Sequence, residues 1–200
     1  MTDTPITVSP GLRPEHRAHA ARLYYEAFRQ KLHPILRDEA RGIAVIESCM
    51  NPAYAISALA GDRLVGIAGF HDKQGSLLNI RPQHMIRTFG FLRGWAKIIA
   101  LSIFSRAVEN GVLLMDGIVV DPSQRGGGIG SLLLDAVVAH AGATGYRAVR
   151  LDVVDTNPRA RALYERKGFV ATGSESYPFM KRWFGFGGST TLLKQVSAQA

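Results

Sequence analysis

The sequence predicts an α/β (α+β) fold, one mixed β-sheet with helices on both faces. Three observations predict it. The periodic segments run helices, a hairpin, a helical stretch, then strand–helix–strand–helix–strand–strand. A glycine cluster from Gly126 to Gly130 joins an apolar strand to an amphipathic helix. A later strand leads into a helix that opens with Asn157-Pro158 and closes at Gly168. A chain of 200 residues fits a single domain over residues 1–200 with a sizeable core.

Each element has a local reason. Residues 1–9 read as a free end or a short strand at Ile6 to Val8. Pro14 to Arg29 reads as a helix, because proline suits a first turn and Leu23, Tyr24, Ala27, Phe28 and Leu32 recur as apolar positions. Leu36 to Met50 reads as a second helix, stopped before Asn51-Pro52. Tyr54 to Ala60 and Leu64 to Phe70 read as strands joined through Gly61-Asp62-Arg63. Residues 81–108 form a helical insert, interrupted around Gly90 and Gly94. Val112 to Val120 is a strand that Asp121-Pro122 ends. Ile129 to Ala141 is an amphipathic helix with Ile129, Leu132, Leu133, Ala136 and Val137 on its inner face. Ala148 to Val154 is a strand. Asn157 to Lys167 is a helix with Asn157 as N-cap and Gly168 at the left-handed C-terminal position. Phe169 to Ser174 and Thr190 to Val196 are the closing strands.

Composition narrows the function classes. The hydrophobic fraction is 46% and the charged fraction 20%, ordinary for a globular chain. The single cysteine, Cys49, excludes an internal disulfide and lies in the apolar stretch Ile43 to Met50, which suits a buried thiol. The N-terminus lacks the basic and apolar regions of a signal peptide, so a reducing, cytoplasmic setting is expected. The longest apolar run, Trp95 to Phe104, contains Lys97 and is too short for a bilayer, so no membrane span is expected. The formal net charge is +8 without a dense Lys/Arg tract. No nucleic-acid partner is therefore expected; a basic surface that attracts an anionic cofactor accounts for the charge.

The glycine cluster carries the chemistry. Ile118-Val119-Val120 ends the strand, Asp121 to Gln124 turns the chain, and Arg125-Gly126-Gly127-Gly128-Ile129-Gly130 opens the helix at Ser131. Strand, glycine turn and helix form a phosphate-binding geometry: glycine backbone approaches the anion, and amide N–H groups and the positive helix end face it. Arg125 adds a charge-assisted hydrogen bond. A Walker loop requires Gly-Lys-Ser/Thr, which is absent. The dinucleotide fingerprint fails in spacing, because the sixth position counted from Gly126 is Ser131, although Asp155 lies where a ribose-binding acid would. Arg125-x-x-Gly128-x-Gly130 resembles the coenzyme A pyrophosphate loop of the GNAT family of N-acetyltransferases. Residues 151–169 resemble the family's second signature, an Asn that opens a short helix and a Tyr before a Gly-Phe turn. Asn157, Arg161 and Tyr164 stand at i, i+4 and i+7 on one helical face.

The resemblance is strong over 112–175, extends plausibly from Ile6 to Phe70 and is weak over 72–111. It implies a splayed, mostly antiparallel central sheet flanked by helices, and acetyl-CoA as cosubstrate with no metal. It places the pyrophosphate on Arg125, Gly126, Gly127, Gly128, Ile129, Gly130 and Ser131. The pantetheine amides pair with Ile118, Val119 and Val120 as an added strand, Asn157 holds the pantetheine or pyrophosphate arm, and Arg161, with Arg159 and Arg166, reads either as a contact to the cofactor's ribose phosphate or as a solvated helix charge. Tyr164 protonates the departing thiolate; a phenol, ionising near pH 10, still carries its proton at neutrality. Without a ligand, Asn157 reads equally as a plain N-cap and Tyr164 as core. The implied reaction is direct attack of an amine on the thioester, with an oxyanion donor near Val120. The base is open: Asp116, on the cofactor strand in an apolar run that would raise its pKa; His71; His84; or water alone. Asp121 reads as a turn residue.

The acceptor, an amine of a small molecule or peptide, is expected among the first helices (Tyr24, Tyr25, Phe28, His33), the insert (Phe89, Phe91, Trp95) and the aromatic loop at 177–188. That loop reads as a lid, as the contact of a homodimer, or as a segment folded on its own core. Few acids in these segments suggest an acceptor that is not strongly cationic. Two other function classes remain. One is a catalytically silent acetyl-CoA-binding sensor or regulatory module. The other is an interaction protein that uses the basic insert on a membrane or nucleic acid.

Overall fold

The structure is a computed structural model that describes residues 4–104 and 107–196. Residues 1–3 and the insert's residues 105 and 106 lie outside the described residues. The expected strands form one seven-stranded sheet: β1 (Ile6–Pro10), β2 (Ala55–Ala60), β3 (Arg63–His71), β4 (Val112–Val120), β5 (Ala148–Val154), β6 (Val170–Ser176) and β7 (Gly188–Gln195), in the order β1-β2-β3-β4-β5-β7-β6. Every neighbouring pair is antiparallel except β4 and β5. The parallel pair requires a crossover, and helix α6 (Ile129–Ala143) supplies it.

The sheet separates two apolar layers. Leu59, Leu64, Ile67 and Val119 pack with the N-terminal helices. Ile56, Val65, Ala68, Leu113, Val149 and Leu192 pack with α6 and with Tyr164 of α7 (Pro158–Arg166). Such alternation along β3 is what a strand buried on both faces requires.

The helices correct the sequence reading in three places. The two helices expected over 14–50 are three: α1 (Arg17–Ala27), α2 (Arg29–Leu36) and α3 (Glu39–Cys49). The chain leaves helical geometry at Phe28 (φ −103°, ψ 16°) and again at Arg37, the one described non-glycine residue with positive φ. Asp38 then restarts it by accepting from the Arg41 N–H at 3.0 Å. Pro34 lies inside α2.

The insert holds α4 (Pro82–Phe89) and α5 (Phe91–Ser102), and Gly90 alone separates them. Gly94 lies within α5, where a Cβ would stand 2.9 Å from the backbone of Ile86. On α6, Leu134 takes the inward place expected of Leu132, which is 44% exposed. The aromatic loop contains a short helix, α8 (Lys181–Phe184), that patterning did not show.

Gly94 is therefore a packing residue. Replacing it with alanine should force α4 and α5 apart and lower stability by about 1–3 kcal/mol, read by urea or thermal unfolding. An unchanged midpoint would show that the two helices separate freely.

Candidate active site

β4 begins as a ladder partner of β5 and then leaves it. The parallel register runs only from Val112↔Ala148 to Met115↔Leu151. β5 continues on β7 to Val154↔Ser189, and β4 continues on β3 to Val120↔Gly66. Residues 117–120 thus lack a strand on their β5 side, as the resemblance to a splayed sheet implied. A bulge marks the parting: Gly69 faces Gly117 while Phe70 faces Met115, leaving Asp116 as the extra residue. Gly117 (φ 155°) is required there because a Cβ would collide with the Phe28 ring.

The glycine loop follows directly. Asp121 accepts from the Ser123 N–H (2.9 Å) and hydroxyl (2.7 Å), and bonds Arg63 at 3.4 Å, so it is the turn residue expected. Gly128 caps α6 in the left-handed conformation. Space is open where a Cβ would stand on Gly126 or Gly128. Among the described residues, the N–H groups of 126–130 donate to no backbone carbonyl. Four N–H groups at a helix start need an outside acceptor, and the helix dipole favours an anionic one. Arg125 is exposed beside them, its Nε 3.3 Å from the Val120 carbonyl oxygen.

α7 lies against this loop, with Leu163 near Gly130. Asn157 caps it: its side-chain oxygen accepts from the Ala160 N–H at 3.1 Å, which leaves the amide NH2 to donate elsewhere. Arg161 bonds Glu165 at 2.8 Å and reaches Thr190 at 3.5 Å. Its expected position beside Asn157 is met, but a carboxylate on its own helix already holds it. Tyr164 is turned inward, 8% exposed, against Phe169. Burial pushes its phenol up to about 12.

On the other side of the parting, Asp116 meets His71. The Asp116 carboxylate is bonded to His71 Nδ1, both side chains being about one-fifth exposed. Tyr24 lies buried beside them; burial first, and the Asp116 charge second, hold its phenol well above the usual range. These groups line a cleft of about 350 Å³ with Phe28, Leu32 and Phe104. Lys31 also faces it, its Nζ 5.6–6.0 Å from the ring centres of Phe28, Phe104 and Phe186. Asp116, in an apolar run of β4, has a partner: the bulge turns its carboxylate to His71.

His84, the other histidine considered as base, does not line the cleft. Its Nδ1 is 3.0 Å from Cys49 Sγ, and burial raises the Cys49 thiol. Asp155 accepts from the Gly187 N–H at 3.1 Å and anchors the aromatic loop. That loop largely folds on the protein itself: Met180 and Phe186 are buried, and Phe184 and Phe186 stack on Phe104. Phe179 and Trp183 remain outside. Lys31 and Phe104 were missed by sequence reasoning, since nothing in their neighbourhood sets them apart. The Asp116-Gly117 pair did carry a signal, because glycine inside a strand pattern marks a bulge. Among the described residues, no group of three or more His, Cys, Asp or Glu side chains could hold a metal ion.

Residues 16–169 match the model of the acetyltransferase (GNAT) family. Solved structures share the fold at low identity. An N-acetyltransferase from Staphylococcus aureus Mu50 is 16% identical, with a TM-score of 0.68 over 94% of this chain and 100% of that one. YncA, a putative acetyltransferase from Salmonella typhimurium with its cofactor acetyl-CoA, is 16% identical, with a TM-score of 0.60 over 98% and 96%. The ribosomal-protein-S18-alanine N-acetyltransferase from Escherichia coli is 16% identical, with a TM-score of 0.56 over 98% and 97%.

The Tyr164 phenol ionises near 10 in the unfolded chain and near 12 in the fold. The folded state therefore binds the extra proton between those values, and stability present below pH 10 is lost as pH rises toward 12. The stability difference between the wild type and Tyr164→Phe should be flat up to neutral and mildly alkaline pH. It should then move in favour of the Phe variant between about pH 10 and 12. A difference independent of pH would contradict the burial of this phenol.

Proposed function

As the chain belongs to the acetyltransferase (GNAT) family, we propose that it transfers the acetyl group of acetyl-CoA to an amine of a small molecule or peptide by direct attack. The observation that carries this reading is the parting of β4 from β5 beside a glycine loop whose N–H groups lack backbone acceptors. Acetyl-CoA fits both features. Its pyrophosphate takes the N–H groups of 126–130, Ile129 included, and the approach to Ser131, with Arg125 beside them. Its pantetheine amides take the open side of Ile118, Val119 and Val120. Asn157 donates its free NH2 to the same arm, and Arg161 reaches it only by leaving Glu165.

The reaction then divides between the two sides of the gap. The acceptor amine enters the cleft beside His71 and Asp116. Asp116 holds Nδ1–H of His71, which leaves Nε2 to take the amine proton. The nitrogen attacks the thioester carbonyl, and a backbone N–H near Val120 stabilises the oxyanion. The C–S bond breaks, and the Tyr164 phenol gives its proton to the coenzyme A thiolate. A phenol held at about 12 stays protonated at neutral pH, which suits a general acid. Phe28, Leu32 and Phe104 fit an acceptor with an apolar body.

Free thiol released from acetyl-CoA, measured across amino acids, polyamines, aminoglycosides, arylamines and peptide N-termini, tests the reading. Acceptor-dependent release is expected. Tyr164→Phe should lower kcat with little change in acetyl-CoA affinity, and His71→Ala should lower kcat/KM by about 10²-fold. Gly127→Glu suits the backbone, since a Cβ there meets only Gln124 O at 3.6 Å. It should weaken acetyl-CoA binding about tenfold or more, because it sets a carboxylate against the pyrophosphate. Saturable acetyl-CoA binding without release to any amine would instead make the protein a silent acetyl-CoA-binding module.

A further inference from the structure

Helix α5 is apolar on two sides, and the chain covers only one. Inward, Gly94 packs on the Ile86 backbone, and Ile98 and Leu101 join the core. Lys97 is drawn inward too, donating to the carbonyls of Ile35 (2.5 Å) and Leu36 (3.1 Å). Outward, Leu92, Trp95, Ile99 and Ile103 follow one another at helical spacing and are 81%, 41%, 69% and 48% exposed. An exposed apolar stripe on a helix already packed on its other side is expected to have a partner of its own, and among the described residues nothing covers this one. The stripe does not end with the helix. Ile103 and Phe179 line one small cavity of about 110 Å³, so the surface continues onto the aromatic loop, where Phe179 and Trp183 are 66% and 69% exposed.

The exposed charges on the insert helices and beside Trp183 are basic, while the acids nearest the loop, Asp152 and Asp155, lie in the small cavity and at the loop's base. From Lys73 to Val108 the sequence has no Asp or Glu. Arg81, Arg87 and Arg93 are exposed on and before the two insert helices, and Lys181 and Arg182 are exposed beside Trp183. A second copy meeting this face would set like charges against each other. Nucleic acid would satisfy the arginines but leave Leu92, Ile99 and Ile103 without a partner. An anionic bilayer satisfies both, because headgroups take the cations and the acyl boundary takes the apolar stripe. Tryptophan and phenylalanine favour that interfacial depth.

We propose that the outer face of α5, continued by Phe179 and Trp183, docks the protein on an anionic lipid bilayer, the helix lying in the plane of the surface. The surface also meets the rim of the acceptor cleft, which Ile80, Leu101 and Phe104 line. The docking stands independently of the proposed transfer reaction.

Of the chain's two tryptophans, Trp95 lies on this face and Trp183 is exposed on the adjoining aromatic loop, so their emission reports the contact. The full-length protein is mixed with vesicles of phosphatidylcholine alone or of phosphatidylcholine with phosphatidylglycerol. Cosedimentation and a blue shift are expected with the anionic vesicles only, weakening several-fold when salt shortens the screening length. Leu92→Glu/Ile99→Glu should cosediment about tenfold or more weakly with an unchanged circular dichroism spectrum and melting temperature, since both side chains are largely exposed. Four results would overturn the proposal. These are no binding to anionic vesicles, equal binding to neutral ones, equal binding by the double variant, and concentration-dependent dimerisation or duplex DNA binding that the double variant abolishes in place of vesicle binding.

Discussion

The parting of β4 from β5 after Met115 and Leu151 is the constraint on which the candidate site depends. A parallel ladder that simply continued would fill the space between residues 117–120 and β5 with its own hydrogen bonds. The bulge at Asp116 prevents this by stepping β4 out of register with β3 and increasing its local twist. Gly117 and Phe28 hold the result, because the ring rests where any other residue would carry a Cβ. One irregularity thus opens the backbone on one side of β4. It also turns the Asp116 carboxylate to His71 on the other side.

The same strand delivers the chain to the glycine loop. Asp121 ties the turn to itself and to Arg63, so the loop after it begins from a fixed point. From Gly126 to Gly130 the backbone has donors and, apart from the inward-facing Ile129, no side-chain bulk, and α6 adds its positive end. A loop of amide donors after β4 and a carboxylate–imidazole pair on it follow from a single strand. What lies between them is a gap suited to an extended amide-bearing arm. The family match covers residues 16–169, and the solved structures show that the fold itself tolerates wide sequence change.

Much of this was legible in the sequence because the informative signals were local. A glycine cluster after Val120, an Asn-Pro helix start at 157 and a helical stripe from Ile129 each depend on neighbours within a few residues. The strands were found for the same reason. The helix break at Arg37 was not, since an arginine carries no local sign of a positive φ, and α2 runs through Pro34 to Leu36. Three facts were beyond local reading because each joins distant segments: the pairing of His71 with Asp116, the capture of His84 by Cys49, and the placing of Lys31 among three rings. Leu132 and Leu134 exchanged places because α6 presents a broad inner face to a twisted sheet, and a strict stripe was assumed.

Amide hydrogen exchange in the absence and presence of acetyl-CoA tests the central claim most directly. If the open side of β4 and the glycine loop receive the ligand, exchange at residues 117–120 and 126–130 slows on binding, while β1 and β2 at the far edge of the sheet stay as they were. Protection confined to other segments, or none at saturating acetyl-CoA, would show that the gap between β4 and β5 is not the cofactor's place.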